Sequence, residues 1–249
     1  MLPVSLVDSA CNLIEAARPM LVNAILADLY QNSFWQKRFD DYGRDYAHRV
    51  THYHLNYLVT AIKSHEPVIF ADYFAWNRPA LVVQGACTHH MHEFIDSTAR
   101  PVALVLRDGF PLAEPCFAAA HRALEYEQPA CRALSEQREA ILRGSLARLG
   151  APESKPASDE RDMRYHLSYL EDAAAMGKPE LFRQHVEWEQ RECMENDCPP
   201  AVLATALRAL RDELEGALPL EFAAVFTAPL QTALDYVFPQ NSATHNSKF

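Results

Sequence analysis

The chain has 249 residues and a formal net charge of −10, an acidic balance that repels phosphate backbones and anionic lipid and so argues against nucleic acid and membrane as partners. Hydrophobic residues make up 49% of it, enough to pack a core without disulfides or a structural metal. The six cysteines form no C-x-x-C pair and no zinc-finger spacing, which reads as buried, reduced thiols in a cytoplasmic protein.

The first segment, "MLPVSLVDSACNLIEAARP", has no basic n-region, and Asp8 and Glu15 interrupt its apolar run. Neither a signal peptide nor a membrane span is expected there. The segment "YHLNYLVTAIKSHEPVIFADYFAW" (53–76) follows, and the same sentence returns as "YHLSYLEDAAAMGKPELFRQHVEW" (165–188). The register is constant: His54 and His166, Pro67 and Pro179, and Trp76 and Trp188 all lie 112 positions apart (166 − 54). "NAILADLY" near residue 23 echoes "EAILRGSL" near residue 139, and "ALEY" (123–126) echoes "ALDY" (233–236). Two such long copies read as tandem domains rather than a solenoid. The expected organisation is a first repeat over 1–128, a second over 129–240 and a disordered polar tail over 241–249, with a flexible loop at "GAPESKPASDE" (150–160).

Within each copy the apolar period is helical. Thr51, Leu55, Leu58 and Ile62 form one stripe, and Met163, Leu167, Leu170 and Ala174 form its counterpart. Asp159 and Glu160 suit a helix's first turn. Gly177 and Pro179 stop one helix and start the next. Ile69, Phe70, Tyr73 and Phe74, and later Leu181, Phe182 and Val186, supply the following helix's buried face. Only "ARPVALVLRDGF" (99–110) tempts a strand reading, and it reads equally as a buried helix end. The expected fold class is all-α, with about five helices per copy.

Candidate chemistry centres on histidines. His54 and His166 recur in both copies, each with a tyrosine, Tyr57 or Tyr169, three residues on along the same helix face. Such a histidine can hold haem iron or another tetrapyrrole; the alternative is a core histidine bonded across the bundle. Trp76 and Trp188 are either walls of an aromatic pocket or core anchors. A further concentration is confined to the first copy: His48 and His52, and His89, His92 and Glu93 in "THHMHEF". Their i, i+4 pairs can present metal ligands on one helix face. Glu-x-x-His, G-x-S-x-G, Walker and G-x-G-x-x-G patterns are all missing from the sequence, which argues against di-iron carboxylate, hydrolase and nucleotide-binding chemistry. The charge-rich "HVEWEQRECMEND" (185–197) reads as a solvated helix face or the rim of a partner site.

The stretch "RDMRYHLSYLEDAAAMGKPELF" (161–182) resembles the central-helix segment of phycobiliproteins, through Arg161, Asp162, Met163, Tyr165, Tyr169 and Gly177. That resemblance implies a globin-like bundle with the Asp facing bilin nitrogens. No cysteine lies nearby to carry a bilin, and the first copy has Val50 in place of the Asp. The unit is also similar to helical regions of bacterial sensory proteins that lie beside cobalamin-binding domains, through Tyr42, Gly43, Arg44, Tyr53–Leu58, Pro67, Phe70, Asp72, Tyr73 and Trp76. The expectation is a non-enzymatic sensory or regulatory module that binds a small ligand or a protein partner. The alternative is a haem-, tetrapyrrole- or metal-binding enzyme or carrier that uses the first-copy histidines.

Overall fold

A computed structural model describes residues 4–150, 160–196 and 199–238. The expected disordered tail (241–249) and the interior of the expected flexible loop (151–159) lie outside the described residues. Among the described residues every regular element is helical: eleven α-helices and one 3-10 segment. The strand-like "ARPVALVLRDGF" is the end of α5 (Thr88–Leu106) and the 3-10 segment Arg107–Leu112.

The chain forms two compact units. The first takes the described residues of Met1–Gln84 and His90–Glu125, and the second takes Gly85–His89 and the described residues of Tyr126–Phe249. In the first unit α1 (Val4–Ala16), α2 (Arg18–Leu29) and α4 (Val68–Val83) pack on α3 (Ser33–Ser64), and α6 (Glu114–Ala123) packs on α4. The stripe Thr51, Leu55, Leu58, Ile62 is buried, as a helical period requires of a face turned to the core. In the second unit α7 (Pro129–Arg148), α8 (Glu160–Ala175), α9 (Pro179–Glu195), α10 (Pro200–Ala217) and α11 (Leu220–Val237) enclose Leu134, Ile141, Leu167, Phe182, Leu207 and Phe226. Contacts of α3 with α2, α4 and α6, and of α4 with α6, are matched by contacts of α8 with α7, α9 and α11, and of α9 with α11.

The helix ends repeat in the same register. Gly177 closes α8 in the left-handed region (φ 63°), and the Lys178 N–H donates back to the Ala173 carbonyl at 2.9 Å. At the matching position His65 closes α3 with φ 59°, and the Glu66 N–H donates to Ala61 at 3.0 Å. Glycine takes this conformation without steric cost; histidine is strained by its Cβ. A second strained residue lies inside α3. Asp40 (φ 50°, ψ −153°) separates the turns 33–39 from the rest of the helix, in a region populated almost only by glycine. The short first piece is capped by Asn32, whose side chain accepts from the Phe34 N–H at 3.1 Å.

Candidate functional site

His54 adjoins the buried stripe of α3, so the helical period turns it inward, and it is 3% exposed. Its ring lies against Phe94, Phe74 and Tyr73, with centroids 4.3, 4.8 and 5.3 Å away. No hydrogen-bond partner reaches its Nδ1. Burial pushes its pKa down to about 3, so the imidazole is neutral. Tyr57 stacks on Tyr73 at 4.2 Å and is 41% exposed. Burial raises the Tyr73 hydroxyl far above the ordinary tyrosine value. A residue the sequence reading passed over completes this aromatic cluster: Trp35, buried, 6.3 Å from Phe94 and 5.5 Å from His90. Its Nε1 also has no hydrogen-bond partner. The density of rings in "SFWQKRF" beside an Asn cap was the available signal. Trp76 departs from both of its expected roles. It is 78% exposed, because it follows the buried Tyr73–Phe74 pair onto the outer face of α4.

The second unit repeats this geometry with different chemistry. His166 Nδ1 lies 2.9 Å from His185 Nε2, both rings buried, one N–H donating to the other's lone pair. Burial lowers His166 to about 4. Tyr169 stacks on His185 at 3.7 Å, as Tyr57 stacks on Tyr73, and positions 73 and 185 share the register of 112 (185 − 73). Trp188 is half-buried, 6.5 Å from His185. His185 was concealed in the sequence inside an apparently solvated charged face.

The same face of α8 receives residues 85–89. The Tyr169 hydroxyl donates to the Gly85 carbonyl at 2.7 Å, and Ser168 Oγ accepts from the His89 N–H at 3.0 Å. Asp172 accepts from the Thr88 N–H at 2.7 Å, the Thr88 hydroxyl at 2.5 Å and the Tyr126 hydroxyl at 2.7 Å. Asp172 is fully buried, and burial outweighs these bonds to raise its carboxyl to about 6. A carboxylate at the first turn of α5 satisfies amides that the helix itself leaves open. Buried Glu171 pairs with Arg138 at 2.5 Å.

The five proposed metal ligands do not converge. His48 and His52 stack edge-on at 5.0 Å along α3. His89 belongs to the second unit, its ring 5.5 Å from Tyr165. Glu93 accepts from Asn32 at 3.4 Å. His92 Nδ1 meets His121 Nδ1 at 2.7 Å, and His121 Nε2 meets Asp96 at 3.1 Å. Among the described residues no group of three His, Cys, Asp or Glu could hold a metal ion. Phe94 and Phe74 stand against the His54 ring, and the His166 Nδ1 is engaged by His185.

No family model, no curated protein and no solved structure matches this chain. Among the described residues no helix is long and apolar enough to cross a membrane.

Proposed function

We propose that the chain is a non-enzymatic helical binding module, a tandem duplication of a globin-like bundle that serves bacterial sensing by taking a small ligand or a protein partner. One observation carries this reading: a buried histidine backed by a stacked ring pair occurs in both units at one register, His54–Tyr73–Tyr57 and His166–His185–Tyr169. The matched helix contacts and the left-handed caps at His65 and Gly177 support the duplication. The divergence of the two sites, one histidine paired and the other not, supports a division of labour between the copies.

Native mass spectrometry of the full chain, purified without denaturation from its own host, tests the reading. A stoichiometric adduct, small molecule or polypeptide, lost on His54→Leu or His166→Leu with helical circular dichroism retained, is the expected result. A bare chain in every preparation would refute it, and a Soret band in the visible spectrum would return the tetrapyrrole alternative.

A further inference from the structure

The two repeat histidines differ in one respect that packing alone does not require. The His166 Nδ1 has a partner in His185, whereas the His54 Nδ1 has none, because position 73 carries a tyrosine that meets the imidazole edge-on at 77°. A buried polar atom without a partner is rare in native proteins and costs stability. Such atoms in the first unit's aromatic cluster include His54 Nδ1 and Trp35 Nε1, on rings that both pack against Phe94. Trp35, Phe94 and His54 thus form one ring cluster inside the first unit. Trp35 rides on the short piece 33–39, joined to the rest of α3 only through strained Asp40. Strain of this kind persists only where the surrounding structure holds it, and it clusters at ligand clamps and switch segments.

From these observations we infer that the first unit holds a closed site for a flat, uncharged heteroaromatic molecule about the size of an indole. The ligand enters beside Phe94 as the 33–39 segment withdraws Trp35, and hydrogen-bonds the His54 Nδ1. Apolar walls with no counter-charge select against ions, and the aromatic faces select a planar ring. The second unit is closed to such a ligand because His185 occupies the equivalent position on His166. This inference rests on the ligand-binding reading above and narrows it to one site and one ligand class.

The probe is benzimidazole, a neutral two-ring molecule with one donor and one acceptor; indene, its hydrocarbon counterpart, is the control. Calorimetry on the full chain should give benzimidazole an affinity at least about tenfold above indene. Tyr73→His, which recreates the second unit's histidine pair, should weaken benzimidazole about tenfold or more. Nitrogen NMR of the wild-type imidazoles, which does not depend on the variant folding, should show benzimidazole shifting His54 and leaving His166 in place. Equal affinity for the two probes, undiminished binding by folded Tyr73→His, or an unmoved His54 resonance would each overturn the inference. None of these results bears on whether the native chain carries an adduct, so the broader reading stands or falls separately.

Discussion

Asp172 gives a quantitative test of how the second unit is held together. Its carboxyl titrates at about 6 rather than at the 3.8 of a free aspartate, chiefly because burial penalises the charge. A carboxyl whose pKa is raised by folding binds its proton more tightly in the native state. It therefore favours the fold below pH 3.8, and that contribution is lost as pH rises through 6. At about 1.4 kcal/mol for each decade of proton affinity, the loss is about 3 kcal/mol. His166 acts in the opposite sense. Burial lowers it from 6.5 to about 4, so its contribution is present above pH 6.5 and disappears as pH falls to about 4, again worth about 3 kcal/mol. Buried His54, lowered to about 3, acts in the same sense as His166, so the effect of Asp172 becomes visible only as a difference. Asp172→Asn removes the titration and leaves a pH-independent cost of about 1–3 kcal/mol, because an amide NH2 then faces a donor. The assay is urea unfolding from pH 4 to 7, followed by Trp188 fluorescence with Trp35 and Trp76 replaced by Phe in both proteins. The stability of the wild type relative to Asp172→Asn should decline by about 2.5 kcal/mol across that range. A difference that stays constant would show that the carboxyl does not titrate there, and the account of a desolvated cap would be wrong.

Two further outcomes follow from conformation and burial. His65→Gly relieves the left-handed strain that Gly177 avoids at the matching helix end, and should raise stability by about 1 kcal/mol in thermal unfolding. Trp76→Ala, at a position 78% exposed, should change stability by about 0.5 kcal/mol or less, whereas Phe182→Ala, fully buried, should cost about 3–5 kcal/mol in urea titration.

What the sequence conveyed and what it withheld have a physical division. The stripes Thr51–Ile62 and Met163–Leu170 were legible because a helix of fixed period can bury only one face, and Gly177 marked its own turn through the conformation it permits. The histidines of the repeat were legible as inward-facing for the same reason. Their partners were not, since His185 and Tyr73 sit on the next helix and only the packing of α8 on α9, or α3 on α4, decides which ring meets which. Trp76 misled because an aromatic side chain suggests burial, while its place on the turn of α4 sets it outside. Asp172 appears in "EDAAA" as an ordinary surface acid; its role depends on Thr88 and Tyr126, which no local pattern connects to it. The histidine spacing in "THHMHEF" signalled proximity along a helix but not the arrival of His121 from α6.

The small segment 85–89 sets the order in which this chain can finish folding. The opening turn of α5 obtains its hydrogen-bond acceptors from Asp172 and Ser168, residues that lie 84 and 79 positions later. A ribosome releasing the N-terminal half first delivers a helix whose leading amides wait in water until α8 has been synthesised. A gene cut between the halves yields fragments that each lack something: one an acceptor for its amides, the other the strap that covers a buried carboxylate. A truncation that removes residues 85–89 should therefore leave the second unit without the donors that hold Asp172.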